Sequence, residues 1–257
     1  GTTGLLNGSL NKVNVDENQD GFLDLPLYKN LSAMNRWQYN GEKMEAQLAL
    51  YAYADDRFAG QSSFSPQLLP FRMELSNQHL ELTAKTGFFG KREGESLGII
   101  QQAKYHKSQG YFGANAIGGQ RQIAGQEKRY FVSVNYDRSG REGKHLIKTG
   151  VSSNVLSLSQ VADLFIRDRL ELTSGCFAEY SLRLNRLSWQ TGFRWDYNSL
   201  FGGIFVPRMH LKYAVTPKTD LRFTGGRGWR SPNYLIENNA LMASNKYWVL
   251  PAEFLPE

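Results

Sequence analysis

The sequence predicts an all-β protein, an antiparallel up-and-down transmembrane β-barrel segment of about 10–12 strands. Three observations predict it. Apolar and polar residues alternate with period two over many segments, the apolar faces often end in Tyr or Trp, and tight turns alternate with longer connections.

Taken in chain order, strands are expected at 5–14, 31–39, 44–53, 78–87, 96–106, 129–137, 144–152, 171–184, 187–197, 205–214 and 220–229. Successive side chains of a strand point to opposite faces, so an alternating segment has one apolar and one polar wall. In 44–53, Met44, Ala46, Leu48 and Leu50 oppose Glu45 and Gln47. In 78–87, Leu80, Leu82 and Ala84 oppose His79, Glu81, Thr83 and Lys85. In 129–137, Tyr130, Val132, Val134 and Tyr136 oppose Ser133, Asn135 and Asp137. The pattern is longest at 187–197, where Leu187, Trp189, Thr191, Phe193, Trp195 and Tyr197 oppose Ser188, Gln190, Gly192, Arg194 and Asp196. Met209, Leu211 and Tyr213 then oppose Arg208, His210 and Lys212. Leu221, Phe223 and Trp229 oppose Asp220, Arg222, Thr224 and Arg230. Phe177 and Arg227 fall on the wrong face of their strands.

Three features select a membrane barrel over a water-exposed sheet. Amphipathic rings at Tyr39, Tyr53, Tyr136, Trp195, Tyr197, Tyr213 and Trp229 suit a membrane–water boundary. Many strands reach the length of about 9–11 residues that a tilted strand needs to cross a bilayer. Tight or short turns are marked by Asn40-Gly41, the Gly-rich 87–95, Ser139-Gly140, Asn185-Arg186 and 216–219. Longer loops are expected at 54–76, 107–127, 153–169 and 198–204. Short turns at one rim and long loops at the other are the outer-membrane pattern, which places 15–30 and the longer loops outside.

Composition narrows the function classes. The 33 aromatic side chains (13 Tyr, 15 Phe, 5 Trp) and 25 Gly favour strands and turns. The net charge of +6 is spread over scattered Lys and Arg rather than clustered, so nucleic acid is not an expected partner. Anionic lipid or solute fits such a surface equally well. A mean hydropathy of −0.46 does not argue against a barrel, because only alternate residues touch lipid. With Cys176 alone, an intrachain disulfide and a multi-cysteine zinc site are excluded.

One motif carries metal chemistry. Asp16, Asn18, Asp20, Phe22 and Asp24 lie in D-x-N-x-D-G-x-x-D, with Gly21 at the sixth position and the Phe22 carbonyl at the seventh. Oxygens at alternate positions around a tight turn suit Ca²⁺. The twelfth residue is Leu27, not the bidentate Glu of a complete loop, so a polar Asx/Gly turn is the competing reading. Gly225-Gly226-Arg227-Gly228 lacks a phosphate-loop pattern and suits a strand bend. His79, His106, His145 and His210 are dispersed, with no metal-ligand spacing, and are expected on the lumen or rim. Cys176 reads as a small hydrophobe. No nucleophile–base set can be assembled, so an enzyme is not expected. Arg194, Arg208, Arg222 and Arg230 should point into the lumen and pair with Asp196, Asp220 and Glu179.

The stretch Phe205-Val206-Pro207-Arg208-Met209-His210-Leu211-Lys212-Tyr213, followed by 220–233 with Gly225-Gly226-Arg227-Gly228-Trp229-Arg230-Ser231-Pro232, resembles TonB-dependent receptor barrels. That family carries a PR-x-x-L-x-Y strand, a short turn, and an LR-x-x-x-G-x-G-[FW]-R-x-P strand. Gly192-Phe193-Arg194-Trp195-Asp196 resembles its G-x-R-x-D strand, and Phe177-Ala178-Glu179-Tyr180 the strand before it. Tyr111-Phe112-Gly113 and the residues to Gln120 resemble an extracellular loop of Bacteroidota-type receptors.

The resemblance implies that residues 1–257 are part of one barrel domain of a 22-stranded, plugged barrel. The plug, the TonB-contacting box and the terminal aromatic strand are expected outside this sequence. It implies a bacterial outer-membrane receptor whose extracellular loops take a scarce solute: a ferric siderophore, a cobalamin-like cofactor, another metal chelate or a glycan. Its partners would be outer-membrane lipid, the solute, and TonB acting through the plug. Two other readings stay open, a small self-contained outer-membrane structural or adhesion barrel and a secreted Ca²⁺-stabilised β-sandwich.

Overall fold

The computed structural model describes residues 1–62, 70–113, 121–140, 142–162 and 165–233. Among them eleven strands form one antiparallel sheet in strict sequence order. They are β1 (Thr2–Asn11), β2 (Leu27–Asn40), β3 (Met44–Gly60), β4 (Arg72–Phe89), β5 (Glu95–Gly113), β6 (Arg121–Ser139), β7 (His145–Ala162), β8 (Phe165–Arg183), β9 (Leu187–Asn198), β10 (Gly202–Thr216) and β11 (Thr219–Gly226). β1 and β11 lie at the two edges. Among the described residues no second sheet packs on this one, so they do not form a β-sandwich.

The register carries each apolar wall into the next. Leu48 pairs Ala84 and Trp37. Leu82 pairs Leu50 and Ala103. Val134 pairs Ile99 and Val151. Trp195 pairs Cys176 and Phe205. Because side chains alternate, these pairs make one continuous outward face. Its large hydrophobics stay exposed, Leu82 at 44%, Phe193 at 56% and Phe223 at 56%. In water such an apolar surface would be far beyond what a monomer shows, and lipid is the solvent that accepts it. The polar residues of the alternation occupy the opposite, inner face.

The connections sort by rim. Among the described residues, 41–43, 90–94, 140, 142–144, 184–186 and 217–218 are at one end, and 12–26, 61–62, 70–71 and 199–201 at the other. The tight turns expected at Asn40-Gly41, 87–95, Ser139-Gly140, Asn185-Arg186 and 216–219 all fall at the first. Gly94, at φ +74°, makes the reversal between β4 and β5 in a backbone conformation that side chains resist.

Three expected loops are corrected. The segments 54–76, 107–127 and 153–169 are mostly strand, because β3 to β8 run for 17–19 residues. At a rise of about 3.3 Å per residue they outreach an apolar band of about 25 Å. The outward face turns polar where they leave that band: after Leu80 come Gln78, Ser76 and Glu74, and after Tyr105 come Lys107 and Gln109. Apolar alternation stops there while pairing continues, so the sequence signal ends before the strand does. Tyr111-Phe112-Gly113 closes β5 rather than forming a loop, and 114–120 lies outside the described residues. In place of a 198–204 loop only 199–201 connect β9 to β10. β1 is Thr2–Asn11 rather than 5–14.

Face assignments change at two aromatics, Tyr53 and Trp229, and hold at a third, Phe177. Tyr53 sits on the inner face, paired directly with inner-facing His79. Phe177 also faces inward, where its ring lies over Gly150, its partner across the β7–β8 ladder. The ring thereby covers backbone that a glycine leaves bare. β11 ends at Gly226, so Arg227 and Trp229 lie beyond the strand and Trp229 turns inward instead of joining the lipid face.

Candidate functional site on the inner wall

The inner face is a ladder of ion pairs, several of them between residues two apart on one strand, which share a face. Arg57 Nε donates to Asp55 at 2.8 Å, and Arg194 Nε to Asp196 at 2.7 Å. Glu127 takes Lys104 at 3.1 Å and Arg129 at 3.2 Å. Glu171 takes Arg169 at 3.4 Å. Arg208 reaches across from β10 to Glu179 on β8, which also accepts from Gln190. Asp220 takes Lys212 at 3.0 Å and Arg222 at 3.5 Å. The pairing expected for Arg194, Arg208 and Arg222 is therefore present. Asp55, Glu171 and Asp196 are 2–3% exposed, so the wall buries charge that only its partners offset.

The chain after β11 folds back across this wall. Arg227 N donates to Pro207 O at 3.0 Å and Trp229 Nε1 to Asp196 Oδ2 at 3.1 Å. Ser231 Oγ donates to Glu171 Oε2 at 2.8 Å, and Arg169 Nη1 to the Pro232 carbonyl at 2.9 Å. Gln160 Nε2 reaches Asn233 Oδ1 at 3.1 Å. A Cβ at Gly175 would overlap the Asp196 carboxylate, so this glycine makes room for the anchor. Between strap and wall lies a cavity of about 580 Å³ lined by Arg129, Arg169, Glu171, Arg194, Asp196 and Arg230, among others. Its chemistry is alternating charge on a fixed frame, suited to a polar or charged occupant.

Sequence reasoning missed Asn198. Fully buried, it donates to Glu171 and Thr173 at 2.8 and 2.7 Å. Its Oδ1 accepts from the Leu200 and Phe201 backbone, which fixes the 199–201 turn to the wall. An Asn at a strand end before a tight turn is the available signal.

Two of the four histidines come together, and the other two stay apart. His79 and His106 are direct partners across β4 and β5, with ring centroids 5.7 Å apart. His145 meets Tyr180, and His210 meets Thr224.

The Asp16–Asp24 loop lies at the long-connection rim, tied to the next connection by Leu23 N to Gly60 O and Ser62 N to Gly21 O. Asp16 accepts from the Asp20 and Gly21 amides, Asn18 from Asp20, Asp20 from Phe22, and Asp24 from Glu17. Gln19 and Gly21 take positive φ of 58° and 82°, which curls the backbone around these side chains. Among the described residues no group of three His, Cys, Asp or Glu is arranged to hold a metal ion. A second cavity of about 490 Å³ opens at the same rim, with Leu10, Leu27 and Phe58 beside the Lys29–Asp56 pair.

No curated protein matches the sequence. The translocator domain of the autotransporter NalP from Neisseria meningitidis aligns over 88% of this chain and 81% of its own, at 11% identity and TM-score 0.43. The siderophore receptor PirA from Pseudomonas aeruginosa aligns over 90% of this chain at 11% identity and TM-score 0.44, and the chain spans 43% of its length. The β domain of the Bordetella autotransporter BrkA aligns over 88% of this chain and 90% of its own, at 9% identity and TM-score 0.40. The family model for TonB dependent receptor-like β-barrels matches residues 2–247. With that match over an up-and-down sheet, apolar outside and ion-paired inside, the chain belongs to the TonB-dependent receptor-like β-barrel family.

Proposed function

We propose that this chain is part of the barrel wall of a bacterial outer-membrane receptor that imports a scarce solute. The observation that carries the reading is the family match on a sheet with a lipid-suited outer face and an inner wall lined by ion pairs. Residues 1–257 belong to a single barrel domain, with further strands pairing to β1 and β11. Extracellular loops at the long-connection rim select a ferric siderophore, a cobalamin-like cofactor, another metal chelate or a glycan. TonB drives passage through a plug enclosed by the inner wall. The wall supplies binding and a path rather than enzyme chemistry.

Deleting the gene tests this reading. Growth on one of these four solute classes, supplied as the limiting nutrient, should be lost in the deletion strain. Depleting TonB from the parent should cause the same loss. Unchanged uptake of all four classes would overturn the proposal.

Within the same reading, Ca²⁺ binds Asp16, Asn18, Asp20, the Phe22 carbonyl and Asp24 and holds the first long connection in place. The support is donor chemistry: hard oxygens at alternate positions around a turn already curled at Gly21. Millimolar Ca²⁺ should slow proteolysis of 12–26 in the full receptor, and Asp20→Ala should remove that protection. Equal cleavage with Ca²⁺ and with chelator would leave the loop as an Asx/Gly turn.

A further inference from the structure

We infer that His79 and His106 form a transition-metal site on the inner wall, binding Cu²⁺, Ni²⁺ or Zn²⁺ through two imidazoles. The inference does not rest on the transport reading.

The two side chains come from directly paired positions of β4 and β5 and project from the same face. Directly opposed residues hold their Cβ atoms about 4.5–5.5 Å apart, close enough for both rings to reach one ion. A metal–nitrogen bond of about 2.0–2.1 Å puts each ring centre about 3.2 Å from the ion, so two imidazoles sharing it stand about 5–6 Å apart. The observed centroid separation is 5.7 Å, with the rings inclined at 57°.

The surroundings favour ligation by His79. Glu81 lies two residues along the same strand and face. Its Oε1 is held by Thr83 Oγ1 at 3.1 Å and Gln102 Nε2 at 2.9 Å. Its Oε2 lies 3.5 Å from His79 Nε2. A carboxylate on one ring nitrogen orients a ligating histidine and leaves the other nitrogen for the metal. His79 is only 15% exposed, so its ring is confined rather than free in solvent. The nearby Lys104 is already paired with Glu127 and is not an unbalanced positive charge facing the ion. Among the described residues no third protein ligand completes the set, so water fills the remaining positions. Imidazole donors suit Cu²⁺, Ni²⁺ and Zn²⁺, and Cu²⁺ binds such a set most tightly.

The test uses full-length receptor purified in detergent with a tag that contains no histidine, titrated with Cu²⁺. Electron paramagnetic resonance should show coupling to two imidazole nitrogens. His79→Gln and His106→Gln should each weaken binding at least tenfold and leave one coupled nitrogen. His210→Gln should change neither. Glu81→Gln should keep the two-nitrogen spectrum with about tenfold weaker binding. If a histidine variant fails to fold, the wild-type spectrum still decides, because an all-oxygen signal or no bound Cu²⁺ overturns the site. Cu²⁺ binding of wild-type strength in the folded double variant would also overturn it.

Discussion

Val132→Arg will destabilise the folded barrel by about 2–4 kcal/mol, whereas Gln102→Lys, one strand away on the other face, will cost about 1 kcal/mol or less. Val132 lies on the outward face of β6, between the rings of Tyr130 and Tyr136. Rings of this kind mark the two membrane boundaries, so the positions between them lie deepest in the hydrocarbon. A guanidinium placed there must thin the bilayer locally or stretch to its surface. Gln102 points inward, where its amide already bonds Glu81, and a lysine ammonium can take that partner instead. Urea unfolding of the full receptor from lipid vesicles measures both. Equal costs would mean that the face read as lipid-exposed meets water.

That contrast also marks how far the sequence was legible. Period-two alternation is written by the lipid: wherever a strand crosses hydrocarbon, its outward residues are apolar and its inward ones polar. The faces of Leu80, Val132, Trp195 and Leu211 could be read for that reason. Outside the bilayer both faces meet water, and the constraint lapses. The upper halves of β3 to β8 therefore read as loops although their ladders are intact. On β7 the alternation even inverts, with Ser157 outward and buried Leu156 and Leu158 inward. Register was the other hidden quantity. Arg194 and Asp196 lie two apart on one strand, so their pairing follows from the sequence. His79 and His106 are 27 positions apart and meet only because β4 and β5 align at that row. Trp229 was misplaced because continuing the alternation past Gly226 assumed a strand where the chain leaves the sheet.

Asp196→Ala will release the strap at Arg227–Asn233 from the inner wall while the sheet itself stays folded. The Asp196 carboxylate accepts from Arg194 Nε and from Trp229 Nε1, at 2.7 and 3.1 Å. A hydrogen bond to a charged group is worth about 1.5–3 kcal/mol, so loss of the Trp229 anchor should raise the open population of the strap at least tenfold. Arg194 keeps a partner in Ser152 Oγ at 2.7 Å and remains 34% exposed, which limits the damage to β9. Trypsin provides the readout, because cleavage after Arg227 or Arg230 requires the segment to leave the wall and its rate tracks the open population. Cleavage should accelerate at least tenfold in the variant. Trp229→Phe should accelerate it by a similar factor, since either substitution deletes the same bond, and the double variant should add little to either single one. Additive effects would mean that Asp196 and Trp229 hold the strap independently. Unchanged cleavage in Asp196→Ala would place the strap's anchorage at Glu171 and Arg169 instead, where Ser231 and the Pro232 carbonyl are bound.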